Sequence, residues 1–473
     1  MLGCSMLGCK TSPSQEGAKT PEVPIRQDAG PVNDPLVPST SPVSDGGAPK
    51  EIVRSNEENR ALIRTVLAKI SKIRGLASKK EIKGETVTRK DMLAKIRGHV
   101  AEEVPKEAIN NEGLFLKLLG FAPASLDYEK EIFALLESQV AGFYDPKSET
   151  MYLANDVDAS MSEPVLSHEL VHALQDVHYN LKEKSKYRRG ESDLSLASSS
   201  IAEGDATSSM MDYAIRNNAL FDPNATATAL GVSDEYLVST LKNGGVAMSA
   251  STVPPIMMKS LVAPYAYGLR FVHSLRRKGG WKMVDDAWKA PPVTTEQILH
   301  PEKWKTHEKG LAVETPTFAT LGAGWTLVES DRSGELSLLL AFEEWTGDDD
   351  LAATLASDWG GDRTGLYSKP IPGGAEIALA WKVRYDKGKK AGLTKQLQPL
   401  FDKLKEKFPP KIEKTGSFTR ICFERGEVGP LTFSVGPDSL LVLAGPTESK
   451  TDALWKSSGT CANAFTWAKE NAK

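Results

Sequence analysis

Between Leu62 and Ala290 hydrophobic positions recur mostly at helical spacing, and from about Thr315 onward short runs alternate at strand spacing. Leu62, Ile63, Val66, Leu67, Ile70 and Ile73 keep the helical period, with Gly75 as the expected stop. The pattern predicts further helices over 89–103, 112–119 and 127–140. Residues 142–153 read as strand, turn, strand around Asp145-Pro146. The next helix is marked by Leu166, Leu170, Leu174 and Val177, with Ser162 as its cap and Pro164 in its first turn. Residues 182–189 are strongly charged and read as a solvated loop, after which helix resumes by Ser200 and runs through Tyr213. Residues 217–240 look irregular, then helical. A later helix holds Tyr265, Tyr267, Phe271, Val272 and Leu275, stops at Gly279-Gly280, and is followed by a helix over 281–290 ended by Pro291-Pro292.

Past Thr315 the run 377–383 is a half-buried strand, and 431–435 with 440–443 form a hairpin through 436–439. Helices over 393–408 and 461–470 complete an α+β region. Four segments follow: 1–50, rich in Pro, Ser and Gly and without apolar periodicity, as a disordered tether; 51–125, helical; 126–314, mainly helical with one small hairpin; and 315–473, α+β and of unassigned role.

Composition changes this picture little. A 40% hydrophobic content over 473 residues supports two or three globular units. Lys+Arg 58 against Asp+Glu 62 gives −4, so bulk charge points neither to nucleic acid nor to an anionic membrane. No apolar run approaches the roughly 18 residues that cross a bilayer. The cysteines divide into two pairs. Cys4 and Cys9 each end a Met-Leu-Gly-Cys tetrapeptide ahead of the tether, which resembles a bacterial lipoprotein processing site. The expectation is an extracytoplasmic protein of the cell envelope, held through an N-terminal lipid only. Cys422 and Cys461 lie near the other end, where one disulfide is possible.

Candidate chemistry concentrates in 164–178. His168, Glu169 and His172 form H-E-x-x-H on a helix, where residues four apart project about 40° apart. Both imidazoles can then reach one ion, and Glu169 can accept a proton from a water activated there. The plainer reading is an amphipathic helix carrying two surface histidines. A catalytic zinc needs three protein ligands, and two residues compete for third place. Glu203 follows His172 by 31 positions (203 − 172) and shares a helical face with Ala206, Thr207, Met210 and Ala214. A carboxylate on such a face is costly to bury without a cation, yet Ser200-x-x-Glu203 is also a capping box. His178 has the histidine spacing of the metzincin signature, and Ser209-Met-Met-Asp-Tyr213 resembles the downstream methionine turn. However, Gln175 stands where that signature has glycine, and if the helix continues, His178 lies about 120° from His172. The geometry favours Glu203. Asp205 is placed either to orient a ligand histidine or to complement a helix dipole.

From about Arg60 onward the chain resembles bacterial envelope-associated metallopeptidases of the gluzincin (peptidase MA-like) type. The matching stretches are Val140-Ala-Gly-Phe-Tyr-Asp145, His168-Glu-Leu-Val-His-Ala-Leu-Gln-Asp176, Ala202-Glu-Gly-Asp-Ala-Thr207, Tyr265-Ala-Tyr-Gly268 and Thr294-Thr-Glu-Gln-Ile-Leu-His-Pro301, with Gly324-Trp325 and Trp359-Gly-Gly-Asp-Arg363 beyond. The resemblance implies a zincin-like domain over 126–314 whose hairpin edge holds an extended peptide or protein substrate. It also implies Zn2+ on His168, His172 and Glu203, and Glu169 as general base. Tyr265, Tyr267 and His300 are candidates to stabilise the oxyanion.

Overall fold

The computed structural model describes residues 56–140, 142–155, 159–217, 228–248, 253–386, 392–450 and 455–471. Cys4, Cys9 and the tether lie outside the described residues, as does part of the irregular stretch after Asn217. The fold class is α+β, as expected.

The chain opens with α1 (Asn56–Arg74), β1 (Lys83–Val87), α2 (Arg89–Glu103), α3 (Lys106–Leu119) and α4 (Tyr128–Gln139). In α1 the apolar stripe Ile63, Val66, Leu67, Ile70 and Ile73 is buried. Gly75, at φ +77°, ends the helix, and the Leu76 N–H returns to Ser71 O. Thr88 and Asp127 cap α2 and α4 through their side-chain oxygens. The hairpin pairs β2 (Gly142–Asp145) with β3 (Thr150–Ala154), and the Asp145 carboxylate accepts the Lys147 N–H inside the turn. β1 adds to β3 in parallel, giving the order β1-β3-β2. Nothing in the pattern marks β1: Lys-Gly-Glu-Thr-Val has no apolar alternation, and Gly84 serves to let Ile63 of α1 lie against it.

Next come α5 (Ala159–Tyr179), α6 (Leu181–Lys184), α7 (Ser192–Asn217), α8 (Asp234–Met248), α9 (Pro255–Lys289), α10 (Thr295–Leu299) and α11 (Pro301–Lys305). Two expected starts move. α5 begins at Ala159, so Pro164 sits inside the helix rather than in its first turn, and Ser162 is not its cap. α7 begins at Ser192, so Ser200 lies mid-helix and its hydroxyl donates back to Leu196 O. The capping-box use of Glu203 is thereby removed. Ser209–Tyr213 is helical too, which excludes a methionine turn there. The charged 182–189 stretch is shorter as a loop than expected, because α6 takes up its start. α9 is broken at Gly279 and Gly280, as the pattern indicated.

The remainder holds β4 (Thr326–Asp331), α12 (Gly334–Thr346), α13 (Asp349–Ala356), β5 (Trp359–Ile371), β6 (Gly374–Tyr385), α14 (Leu393–Gln396), α15 (Gln398–Lys405), β7 (Pro410–Thr415), β8 (Phe418–Glu424), β9 (Pro430–Val435), β10 (Ser439–Lys450), β11 (Trp455–Ser457) and α16 (Cys461–Glu470). The strands form one antiparallel sheet in the order β4-β5-β6-β10-β9-β8-β7, with β11 on β10. Cys422 and Cys461 are paired and fasten α16 to β8. A single buried cluster runs from Leu116 through α7, α9 and α12 to Trp455, so the sheet and the helices share one core. A smaller cluster joins α1, the hairpin, α5 and α7.

Candidate metal centre

The site forms where α5, α7 and α9 meet beside the hairpin. On α5, Leu166, Leu170, Val171 and Leu174 are buried against α1 and β3. This sets the opposite face, with His168 and His172, toward α7. Neither histidine is a surface residue: each is 3% exposed. On α7 the turn after Ala202 brings Glu203 across to them. α7 can approach closely because it crosses α9 at two glycines. A Cβ on Gly204 would stand 2.2 Å from the Gly268 carbonyl, and one on Gly268 would stand 2.0 Å from Ser200 O. One turn before Gly268, Tyr265 lays its ring over His168, with centroids 5.9 Å apart and planes 23° apart.

The two Nε2 atoms of His168 and His172 are 3.2 Å apart, and Glu203 Oε2 lies 3.1 Å from the first and 3.4 Å from the second. Donor atoms about 2.0–2.1 Å from a tetrahedral ion stand about 3.3 Å from one another. The three separations therefore match the edges of such a site, and the group could hold a metal ion. Two further atoms fit a cation. Glu203 Oε1 and Glu169 Oε1 are buried without a hydrogen-bond partner among the described residues. A buried carboxylate oxygen in that condition is expensive unless a cation or a water chain serves it.

Glu169 is 1% exposed, and its Oε2 accepts the Tyr144 N–H of β2 at 3.0 Å. Burial raises its pKa, while His172, His168 and the Tyr144 N–H act in the other direction. Burial also acts to raise Glu203, but there His172 and His168 win and hold it below the ordinary carboxylate range. For His172 burial acts downward, and Glu203 more than offsets it, leaving the imidazole at about 9. Opposed charge thus draws the three side chains together, while Glu169, on α5, is held to the hairpin by the Tyr144 N–H.

Not every sequence candidate reaches this place. His178 bonds through Nε2 to Ala77 O at 2.8 Å, outside the group, because α5 continues unbroken past Gln175. Tyr267 turns to Glu343, at 3.4 Å, and His300 to Glu335, at 2.9 Å. Of the three suggested oxyanion donors only Tyr265 stands against the ligands. Asp205 orients no histidine. Its oxygens accept Arg74 Nε at 2.6 Å and Trp288 Nε1 at 2.8 Å on the other side of α7. Gln175, which in sequence only displaces the metzincin glycine, contacts through its amide His172 Nδ1 at 2.8 Å and Ala202 O at 3.0 Å. Its place three residues after His172, on the same helical face, was the available signal.

No family model matches the chain, and no curated protein matches it. Among solved structures, a chain from Chloroflexus aurantiacus described as "a putative hydrolase with a novel fold" is similar over 55% of this chain and 94% of its own, with a TM-score of 0.34 and 16% identity. At that distance the functional reading rests on the site itself.

Proposed function

We propose that this chain is a zinc-dependent peptidase of the gluzincin type, with His168, His172 and Glu203 as ligands and Glu169 as general base. One arrangement carries the reading: three donor atoms at tetrahedral separations, with the unpartnered Glu169 Oε1 one residue from a ligand. A structural zinc site closes with four protein ligands, whereas among the described residues three side chains converge here. Two histidines and a carboxylate also suit Fe(II), and the spare glutamate is what favours hydrolysis. Bound at this point, a divalent cation lowers the pKa of water and polarises a carbonyl oxygen.

The chain's own residues would supply the rest. Tyr144 N–H holds Glu169 Oε2, which leaves Oε1 to take the attacking water's proton and return it to the departing amine. Burial pushes the Glu169 carboxyl above its ordinary range. β2 is an outer strand of its sheet, so a peptide extended along it would pass that carboxylate. Tyr265 is the nearest candidate donor for the oxyanion. In this reading residues 1–50 tether the enzyme to a bacterial envelope through a lipidated N-terminal cysteine, which intact mass of the membrane-extracted protein would check.

Zinc content and cleavage of a generic peptide library test the reading together. Glu169→Gln should keep zinc and lower kcat by about 10²–10⁴-fold. Glu203→Ala should lose the metal, and His178→Ala should keep both metal and activity. Hydrolysis undiminished in Glu169→Gln, or metal lost with His178→Ala alone, would sink it.

A further inference from the structure

We infer that Gln175 is the positioning residue that fixes which nitrogen of His172 faces the metal, an inference that rests on the metal reading above. Ala202 O is a backbone carbonyl and can only accept. It lies 3.0 Å from the Gln175 side chain, so the amide must turn its NH2 that way. The other end, Oε1, then meets His172 Nδ1 at 2.8 Å. An amide oxygen accepts only, so Nδ1 carries a proton. The lone pair of the neutral ring is consequently on Nε2, the atom that faces His168 Nε2 and Glu203 Oε2. Gln175 is 0% exposed, so both bonds are made away from bulk solvent.

The same amide joins the two ligand helices. Its oxygen holds a ligand on α5, and its nitrogen holds the carbonyl immediately before the ligand on α7. These two jobs predict different things, and they separate by substitution. Gln175→Leu removes the acceptor and the tether. Gln175→Glu, nearly the same shape, keeps an acceptor for the Nδ1 proton but has no donor for Ala202 O.

Zinc dissociation constants, measured by competition with a chelator in the full chain, decide the matter. We expect Gln175→Leu to bind zinc about 10–100-fold more weakly, as loss of the hydrogen bond behind a ligand histidine typically does. Gln175→Glu should stay within a few-fold of the natural protein. Equal weakening in both variants would assign the effect to the helix tether and overturn the positioning role. So would an unchanged constant in Gln175→Leu. If the natural protein itself binds no zinc, the metal reading fails, and this inference fails with it. An independent check needs no variant: nitrogen-15 resonances of the zinc-loaded protein should show His172 protonated at Nδ1, and a proton at Nε2 would overturn the assignment even where Gln175→Leu does not fold.

Discussion

A carboxylate among apolar neighbours has to find a cation or a donor, and two carboxylates on α7 do so in opposite directions. Residues two apart on a helix project about 200° apart. Glu203 therefore turns to His168 and His172, while Asp205 turns to Arg74 and Trp288. Arg74 and Asp205 are both 0% exposed. Asp205→Ala leaves the guanidinium buried with Asp285, at 2.8 Å, as its remaining carboxylate among the described residues, beside the Trp281 ring. Breaking a buried pair in this way costs about 3–5 kcal/mol. The denaturation midpoint should fall accordingly, while molecules that stay folded keep their zinc affinity. A large loss of affinity with little loss of stability would instead return Asp205 to the role of orienting a histidine. The sequence could carry Glu203 because its partners lie on one neighbouring helix and H-E-x-x-H announces them. It could not carry Asp205, whose partners stand 131 and 83 positions away. Nor could spacing alone show that Gln175 faces Ala202, which requires knowing how α5 and α7 cross.

Elements that bury one stripe were legible, since periodicity is a record of one-sided burial. α1 sits where its stripe and its Gly75 stop put it, and α2 spans the expected 89–103. α12 carries no legible period: nearly every position from Gly334 to Thr346 is buried, leaving no polar face to mark one. β1 failed for the opposite reason, being too polar to show one. The decisive element-level feature is the crossing of α7 and α9 at Gly204 and Gly268. Both flank site residues: Gly204 adjoins Glu203, and Gly268 lies one turn from Tyr265. Gly268→Ala would place a methyl 2.0 Å from Ser200 O, on backbone that cannot rotate away. The helices must separate. Overpacking of this kind costs about 1–3 kcal/mol, and backbone contact puts this case at or above the upper end. We expect a lowered melting temperature together with weaker zinc binding, since Glu203 moves with α7. Unchanged zinc affinity in a destabilised Gly268→Ala protein would show that the crossing supports the fold and not the site.

At the scale of the molecule, the helices and the sheet are joined around two buried acids. Asp193, at the start of α7, accepts the N–H and hydroxyl of Thr295 in α10, both at 2.7 Å. Asp362 in β5 accepts Gly334 N–H at the start of α12, at 3.2 Å, and Trp381 Nε1 of β6, at 2.6 Å. Single-strand patterns revealed parts of the sheet, but its order is set by contacts between strands far apart in sequence, and neither acid could be placed without it. Burial raises Asp193 to about 6. Burial, and then the neighbouring Asp193, raise Asp362 to about 7. An unfolded aspartate titrates near 3.9. Below that pH both states hold the proton and Asp362 has no effect. Between about 4 and 7 the unfolded chain ionises while the folded one stays protonated, so stability falls as pH rises, by up to about 1.4 kcal/mol per unit. Above about 7 both are ionised and the loss is complete. Asp362→Asn lacks this titration but offers one oxygen to donors that now use two, so it starts less stable at pH 4.5. Urea midpoints for the two proteins should therefore converge between pH 4.5 and 7.5. A gap that stays constant would mean that Asp362 is ionised in the fold throughout, and that Trp381 and the start of α12 stabilise a carboxylate rather than an acid.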